Sequence, residues 1–310
     1  MPVWNSQETI KNALLSLLNQ TYKKIIIFIL DNRSSDKTVS IIKNIQKKDN
    51  RIKLIIDKKK RNAVDAQTYL FKKYIIKYKF CMQIADDDIF HPKFIEITLN
   101  KIKKEKTSLS YTSYKLIDLE NNLSNIEDYP TYQTYNKIKK KIITQQLLKY
   151  FGFNSFFTNL VKYITYRNIV PIVFGIFLTR DFSLSMLKYN KIYDQSQINY
   201  DNLYMIDFLA NNKVSYTGKK LFYYRIKDRI KTAIERGQKG IYQLNNFSLK
   251  TFKIFIYQLT FSIKIAHIIN NSNKINLISK ILLNIIIFML YFQKCLSFVL
   301  KKSLKIQNKY

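Results

Sequence analysis

The sequence predicts an α/β protein with a mostly parallel sheet flanked by helices, and three observations support this class. Amphipathic helical patterns alternate with short apolar runs over the first 110 residues, which is typical of successive β/α units. The run at 25–30 is continuous and β-branched, as expected of a strand buried on both faces. Acidic residues follow the predicted strands, at the sheet edge where open α/β folds bind ligands.

Spacing and local start signals predict the individual elements. Apolar residues between Ile10 and Leu18 recur at helical intervals, and Ser6 stands where an N-cap is expected. Pro92 is expected in the first turn of another helix, where its missing N–H costs nothing. In chain order, we predict a helix after Ser6, a strand at 25–30, a helix at 36–47, a strand at 52–56, a helix at 63–77, a strand at 80–85, a helix opened by Pro92, a strand at 172–178, a helix at 200–211, and strands at 213–217 and 221–225.

The composition divides the chain after Glu235. Residues 236–310 contain twelve Lys and Arg but no Asp or Glu. We therefore expect one α/β domain at 1–235 and a basic helical tail at 236–310. Residues 118–170 show no clear period, so they are expected to form a variable insertion within the first domain.

The whole chain is strongly basic, with 53 Lys and Arg against 21 Asp and Glu. Only eight of these cations are Arg, the residue best suited to reading base edges, so we expect no specific nucleic-acid partner. Cys81 and Cys295 match no metal or redox spacing. No secretory leader is visible, which predicts a cytoplasmic protein. The chain has only two histidines, His91 and His267, so we expect neither a histidine-based metal site nor a Ser-His-Asp triad.

Asp86, Asp87 and Asp88 form an acidic triplet directly after the strand predicted at 80–85. Three adjacent carboxylates repel one another and need a counter-ion. One interpretation is a solvated turn whose Asp caps the helix at Pro92. The other is a site for Mg²⁺ or Mn²⁺, in which diphosphate oxygens supply further ligands.

Several motifs in order and register resemble those of family 2 glycosyltransferases. They are Pro2-Val3-Trp4-Asn5-Ser6, Ser16-Leu17-Leu18-Asn19-Gln20-Thr21-Tyr22, Asp31-Asn32-Arg33-Ser34-Ser35-Asp36 and Asp86-Asp87-Asp88-Ile89-Phe90-His91-Pro92. The resemblance covers residues 1–110 and, more loosely, 172–230. It implies a GT-A fold and a hydrophobic strand before Pro2, which we expect this chain to lack.

The resemblance also implies an activity. Members of this family transfer a sugar, with inversion and with the help of a metal, from a nucleotide-diphosphate sugar. For this chain it implies a UDP-sugar donor and a glycan or lipid-linked acceptor in the synthesis of a surface polysaccharide. The insertion at 118–170 is then expected on the acceptor side.

Roles in the nucleotide pocket follow from the same resemblance. Pro2 and Val3 lie where the family builds this pocket, and Asp31 lies where it uses an Asp to accept a hydrogen bond from the nucleobase. Asp57 is a weaker candidate for the same pocket. The alternative role for Asp31 is to cap the helix predicted at 36–47.

The acidic triplet corresponds to the Asp-x-Asp motif of the family. Asp86 and Asp88 have its spacing, but Ala85 falls where many relatives have the first Asp, which would make Asp87 the ligand. All three are therefore candidate metal ligands, and Asp86 and Asp87 are also assigned to the nucleotide sugar. A metal here would neutralise the leaving diphosphate.

Asp201 corresponds to the acidic residue that serves the family as catalytic base, and it lies at the start of the helix predicted at 200–211. The alternative is that it caps this helix, in which case Asp194 or Asp207 would be the base. Arg225 follows in a family-like segment and either assists the diphosphate or braces the sheet.

The tail contains an apolar stretch at 275–300 that predicts an imperfect amphipathic helix. Its polar residues fall on one side of a helical wheel and are Asn276, Lys280, Asn284, Lys294 and Lys301. We expect this helix to attach the protein peripherally to the anionic inner face of the cell membrane. A short spanning or re-entrant helix and a buried helical cap are the alternatives.

A second function class stays open, a non-catalytic basic protein that binds membrane or nucleic acid and derives from a decayed or truncated transferase. The position of the acids separates the two classes. A polyanion binder gains nothing from carboxylates at strand ends, whereas a site for a metal and a diphosphate requires them.

Overall fold

The computed structural model of the chain describes residues 1–123, 170–189, 200–225, 247–289 and 291–292. These residues belong to two compact units. The first unit contains the described residues up to Met205 and those from Asn212 to Arg225. The second unit contains Ile206–Asn211 and the described residues of the tail.

A three-stranded parallel sheet opens the first unit. Its strands lie in the order β1 (Pro2–Val3), β2 (Ile27–Asp31) and β3 (Ile52–Ile56). Helices α1 (Ile10–Leu18) and α2 (Thr38–Gln46) connect them, and such crossovers are what parallel neighbours require. The prediction of β2, α2 and β3 is confirmed to within about two residues at each boundary. Strand β1 was not predicted, and α1 begins three residues later than expected.

Helix α1 buries the predicted apolar face against this sheet. Its buried side chains are Ile10, Ala13, Leu14, Leu17 and Leu18, and complete burial of each Leu or Ile contributes about 2 kcal/mol. The prediction that Ser6 caps the helix was wrong. The helix begins after Thr9 without a side-chain cap, and the hydroxyl of Ser6 donates to Asp86.

The segment from α3 to α4 differs from its prediction at several points. Helix α3 (Ala63–Leu70) continues as a π-helical turn (Phe71–Ile75), β4 (Phe80–Met82) ends three residues before Ala85, and β5 (Ile89–Phe90) follows the acidic triplet. Helix α4 (Phe94–Glu105) begins two residues after Pro92. Pro92 therefore precedes this helix and does not form its first turn.

The second sheet of the first unit has the strand order β4-β7-β6-β8-β5. The elements that follow α4 in the chain are β6 (Leu109–Ile117), α5 (Val170–Val173), β7 (Ile176–Leu178), α6 (Thr179–Tyr189), α7 (Tyr200–Asn211) and β8 (Val214–Arg225). The residues of α7 from Ile206 onward belong to the second unit. Only the β6–β8 pair is parallel. The α/β class is confirmed, and this sheet is mixed, with one parallel and three antiparallel pairs of neighbouring strands among the described residues.

Three predicted strands change form in this sheet. The segment predicted as a strand at 172–178 begins as part of α5, turns at Gly175 and becomes β7. The segments predicted at 213–217 and 221–225 are one strand, β8. Of the insertion predicted at 118–170, residues 124–169 lie outside the described part of the chain.

The main core lies where α1 and α4 pack on the strands, and aromatic rings form much of it. Phe90 stacks on Phe222 with ring centroids 5.0 Å apart, and it meets Phe94 edge to face at the same distance. Because Phe90 and Phe222 are paired residues of β5 and β8, this packing fixes the short strand that follows the acidic triplet.

The second unit contains α8 (Phe247–Asn270) and α9, a helix at 277–289, with residues 291–292 helical as well. The side chain of Asn276 caps α9 by accepting the amide of Ser279 at 2.8 Å. In the described part of the chain, every helix is too short or too polar to cross a membrane.

Candidate functional site

The loop after β2 closes on Asp31, the last residue of that strand. Asp31 is 2% exposed, and both its carboxylate oxygens lie within 3.3 Å of the Ser34 amide. Arg33 makes this turn with φ at +65°. Asp31 does not cap α2, because Asp36 accepts the Thr38 amide at 2.9 Å.

A second loop, Asn5–Gln7, is joined to the loop after β2 by hydrogen bonds between side chains and backbone amides. The amide of Asn5 donates to Ser34 Oγ at 3.0 Å, and its side-chain oxygen accepts the Ser35 amide at 2.9 Å. Gln7 likewise exchanges hydrogen bonds with the 36–37 segment, both at 3.1 Å. The amide of Ser6 donates to Thr38 Oγ1 at 2.7 Å. The two loops therefore form one rigid rim beside Asp31.

Asp57 lies directly after β3 and forms an ion pair with Arg61. Burial by itself raises the pKa of Asp57, but hydrogen bonds from the Lys59 amide and the Arg61 guanidinium outweigh it and lower the pKa below its ordinary value. The backbone of Arg61 exchanges two hydrogen bonds with the side chain of Asn32, at 2.6 and 2.8 Å. Asp57 is thus a charged group held beside the loop that carries Asp31.

Two cations of the loop after β3 lie over aromatic rings. The guanidinium of Arg61 stacks 4.2 Å above the ring of Tyr69, and the ammonium of Lys60 lies 5.7 Å from the ring of Trp4. Each ring attracts the cation above it, and Arg61 is in addition paired with Asp57. Trp4 is the only tryptophan of the chain.

The acidic triplet is tied to the same rim through Ser6. The hydroxyl of Ser6 donates to Asp86 Oδ2, while the amide of Ser6 donates to Thr38 at the start of α2. Asp86 and Asp88 are buried, and Asp87 is half-exposed. The acids predicted at three strand ends thus come from two sheets, and Asn5–Gln7 joins the acidic triplet to the loop after Asp31.

Asp88 contains the least satisfied oxygen of this site. Its Oδ1 accepts the Arg225 amide at 3.0 Å, but its buried Oδ2 has no hydrogen-bond partner among the described residues. Burial, followed by repulsion from Asp87, raises the pKa of Asp88 well above its ordinary value. A buried carboxylate oxygen left without a partner costs free energy, which a cation beside it would offset.

Arg225 holds the acidic triplet in place through hydrogen bonds to Asp87 and Asp88. It is 3% exposed, and its Nε donates to the carbonyl of Asp87 at 2.7 Å. Its other two nitrogens donate to the carbonyl of Asp118 and, at 2.5 Å, to Asn121 Oδ1. This geometry favours the bracing alternative for Arg225, since the guanidinium is directed at protein oxygens.

The segment Ser16–Tyr22 holds the other end of the turn that contains the triplet. Gln20 is fully buried; its Nε2 donates to the carbonyl of His91 at 2.9 Å, and its Oε1 accepts the Ile95 amide at 3.0 Å. The amide of Phe90 donates to Ser16 Oγ at 3.2 Å. Gln20 therefore supplies the side-chain cap that α4 lacks in its own sequence.

Asp201 is the second residue of α7, and its side chain lies outside the described part of the chain, as does Asp194. The helix itself is anchored near the triplet, because the hydroxyl of Tyr204 donates to Gln83 Oε1 at 3.0 Å. Asp207 is buried and belongs to the second unit. The role predicted for Asp201 stays a prediction.

The donor set suits a hard divalent cation such as Mg²⁺ or Mn²⁺. Among the described residues, no three His, Cys, Asp or Glu side chains converge closely enough to hold a metal by themselves. Sites that bind a metal with a diphosphate need only one or two carboxylates, since phosphate oxygens complete the shell. The unpartnered Oδ2 of Asp88 and the half-exposed Asp87 provide this number. The assignment of all three acids to the metal stays a prediction.

Sequence reasoning missed Ser6, Gln20 and Tyr204 as members of this site. Ser6 and Gln20 lie in the motifs that carry the family resemblance, and this is the signal that could have found them. Their partners are 71 to 80 residues away. Nothing local in the sequence marks Tyr204 or its contact with Gln83.

Comparison with known proteins identifies the family. The model of glycosyl transferase family 2 matches residues 1–164, just over half of the 310 residues. The chain belongs to glycosyl transferase family 2.

Relatives of known sequence align with part of this family 2 chain. An uncharacterized glycosyltransferase of Haemophilus influenzae is 32% identical over 122 residues, which are 39% of this chain and 48% of that protein. The UDP-Glc:α-D-GlcNAc-diphosphoundecaprenol β-1,3-glucosyltransferase WfgD of Escherichia coli is 30% identical over 142 residues, 45% of this chain and 53% of that protein. The chain thus spans about half the length of these relatives.

A solved structure extends the likeness to most of the family 2 chain. Residues 1–349 of TarS from Staphylococcus aureus, crystallised with UDP, superimpose with a TM-score of 0.57 and 15% identity. The superposition covers 91% of this chain and 68% of the TarS chain. The shared fold confirms the predicted GT-A class.

Proposed function

We propose that this chain is a metal-dependent, inverting glycosyltransferase that moves a sugar from a UDP-sugar to a lipid-linked acceptor in the synthesis of a surface polysaccharide. The observation that carries the proposal is a chain of contacts between the strand ends. Asn5–Gln7 joins Asp86 to the loop after Asp31, and the amide of Asp57 donates to the carbonyl of Asp31. A buried carboxylate oxygen without a partner among the described residues, at Asp88, lies in the same acidic triplet as Asp86. This arrangement suits a nucleotide diphosphate and its cation and has no purpose in a polyanion binder.

Each loop has a proposed part in donor binding. Pro2 and Val3 form β1 beside Asp31, and Asp31 and Asp57 accept hydrogen bonds from the base or ribose. Lys60 and Arg61, held over Trp4 and Tyr69, offset the charge of the diphosphate. Asp87 and Asp88 hold the metal, which when bound would act as Lewis acid toward the departing diphosphate.

Asp201 is the proposed base. Its carboxylate would take the proton of the acceptor hydroxyl while the acceptor oxygen bonds to the anomeric carbon and the bond from that carbon to the diphosphate breaks. This requires hydrogen-bond reach between Asp201 and the acceptor. The contact of Tyr204 with Gln83 at 3.0 Å supports it, because that contact fixes α7 beside the residues that lead into the triplet.

The acceptor class is proposed from two relatives. WfgD and WfaP, both of Escherichia coli, are named as glucosyltransferases that act on α-D-GlcNAc-diphosphoundecaprenol. If this chain has a similar acceptor, it works at the inner face of the cell membrane, with the basic tail toward the anionic lipid.

Fluorescence of Trp4 provides a direct test of donor binding, because this single tryptophan lies beside Lys60 in the proposed pocket. We expect UDP with Mn²⁺ to change the emission and to raise the melting temperature. Asp87→Ala should abolish the metal-dependent part of both responses. Glu105→Gln on α4, which removes an exposed carboxylate of a surface ion pair, should leave them unchanged.

Transfer is tested separately with UDP-glucose and GlcNAc-diphosphoundecaprenol. Asp201→Asn should keep the UDP response and lose transfer. If this variant turns over at the wild-type rate, the base is another residue. If the wild type shows neither a fluorescence nor a thermal response to UDP and metal, the donor site is refuted and the non-catalytic class is favoured.

A further inference from the structure

The outward face of α9 is entirely apolar. Seven large side chains of residues 277–292 are between 49% and 72% exposed, and we call them the apolar stripe: Leu277, Ile278, Ile281, Ile285, Phe288, Met289 and Phe292. At roughly 100° per residue, these seven occupy an arc of about 120° on the helix. An exposed apolar surface of this extent on a soluble protein marks an interaction site.

Contacts within the second unit fix the rotation of α9 about its axis. Ser279, Leu283 and Ile287 are at most 5% exposed and recur every four residues on the opposite side. Lys280 Nζ donates to the carbonyl of Asn270 at 2.7 Å, and Asn284 Nδ2 donates to Asn270 Oδ1 at 2.9 Å. The side chains of Lys280 and Asn284, two of the polar residues of the helical wheel, are thus bound to the end of α8, and the apolar stripe is turned outward.

We propose that the apolar stripe is a membrane-docking surface that inserts into the interfacial region of an anionic bilayer. One side of α9 is occupied by its own protein, so lipid can reach the other side only. A helix of this kind lies in the interface with its apolar face toward the acyl chains. The proposal rests on the proposed function in one respect, since a lipid-linked acceptor places the enzyme at such a surface.

The charge of the tail selects a bilayer over a second copy of the chain as the partner. Residues 236–310 contain twelve Lys and Arg and no acid, so two tails brought together would repel each other. An anionic lipid surface attracts the same charges, and each additional cation near it strengthens binding. Apolar contact and electrostatic attraction therefore act together only at the membrane.

Vesicle co-sedimentation of the full chain tests the docking surface. We expect binding to vesicles that contain phosphatidylglycerol and weaker binding to pure phosphatidylcholine. The double variant Ile281→Glu with Phe288→Glu should lower the partition coefficient by about tenfold or more, because it removes apolar area and adds two charges that the anionic surface repels.

A matched control separates the stripe from general surface effects. Ile76 and Leu184 are 48% and 70% exposed, against 51% and 67% for Ile281 and Phe288, and they belong to the first unit. The double variant Ile76→Glu with Leu184→Glu adds the same charge and should leave the partition coefficient within about twofold of the wild type. Circular dichroism of both variants checks that each is folded.

Three results would overturn the proposal. The first is a wild type that does not partition onto vesicles, and the second is equal partitioning of the two double variants. The third is a wild-type dimer that becomes a monomer in the stripe variant while vesicle binding is unchanged. The UDP response of Trp4 is measured on the same samples. A chain that partitions through the stripe without responding to UDP keeps its docking surface and loses the proposed catalytic function.

Discussion

At Arg225, one buried guanidinium connects three parts of the chain. It bonds to Asp87, Asp118 and Asn121, while its own amide donates to Asp88. Charge-assisted hydrogen bonds of this kind are roughly twice as strong as neutral ones. A residue that uses its donors in this way stabilises the triplet in the absence of any ligand. A residue that binds the diphosphate would affect the protein only when the nucleotide is present.

Arg225→Lys distinguishes these two roles. A Lys ammonium cannot reproduce the planar fork that reaches three separate oxygens, so we expect the free energy of unfolding to fall by about 2 to 3 kcal/mol without any nucleotide. Urea unfolding measures this loss. Arg180→Lys is the matched control, because Arg180 is 87% exposed in a surface ion pair, and the change there should be below about 0.5 kcal/mol. Unchanged stability with weaker UDP binding would assign Arg225 to the diphosphate.

At the scale of elements, α4 depends on a residue from the segment that follows another helix. Lys93 at its N-cap makes no side-chain cap, and the first turn is bound by Gln20, two residues after the end of α1. Four amides at the start of any helix need partners. Gln20 satisfies one of them and holds the carbonyl of His91 as well, so α1 and α4 are locked together across the triplet turn.

Gln20→Met tests this lock at nearly constant side-chain volume. The change leaves the Ile95 amide and the His91 carbonyl with no side-chain partner, and we expect a loss of about 2 to 4 kcal/mol in unfolding free energy. Gln46→Met is the comparison, since the half-buried Gln46 makes one bond, to the Ile52 carbonyl at 3.2 Å, and should cost about 1 kcal/mol or less. Equal losses in the two variants would contradict the role of Gln20.

Two glycines of the second sheet are required for different reasons. A Cβ at Gly175 would lie 2.5 Å from Leu109 Cδ1 and 2.7 Å from the Ser110 carbonyl oxygen. Gly218 has open space around it, but its φ is +76°. The first position is limited by packing between α5 and β6, and the second by backbone conformation.

Substitutions at the two glycines should therefore differ in kind. Gly175→Ala is expected to cost about 2 to 3 kcal/mol, because the backbone of β6 must move, while Gly218→Ala should cost about 1 kcal/mol. Gly218→Asn should be milder than Gly218→Ala, since Asn adopts positive φ more readily. Thermal unfolding of the three variants checks this order, and a Gly175→Ala protein as stable as the wild type would exclude the steric argument.

For the molecule as a whole, prediction from sequence succeeded where structure is local. The strands β2 and β3 and the helix α1 have periodic patterns within ten residues, and these were predicted. Strand β8 was divided into two because Gly218 interrupts its pattern, although the sheet accommodates this residue at a register shift beside Ser113. The acids of the site and Arg225 were found, but the contacts of Ser6 with Asp86 and of Arg225 with Asp88 span 80 and 137 residues, and no local pattern predicts such a pairing.

The net charge of +32 belongs to the molecule as a whole and predicts weak, nonspecific attraction to polyanions. With most cations supplied by Lys, we expect two unrelated DNA duplexes to bind with dissociation constants equal within about twofold. Binding should weaken by about a thousandfold between about 50 and about 200 mM salt, as for a protein that contacts several phosphates.

Fluorescence anisotropy measures both properties, and Asp87→Ala should change neither, because the acidic triplet is not part of a polyanion surface. A clear preference for one duplex that persists at high salt would instead support the non-catalytic class. If DNA binding is salt-sensitive and shows no preference between duplexes, while the UDP response requires Asp87, the lysine charge has no specific role in nucleic-acid binding and the chain acts as a family 2 glycosyltransferase.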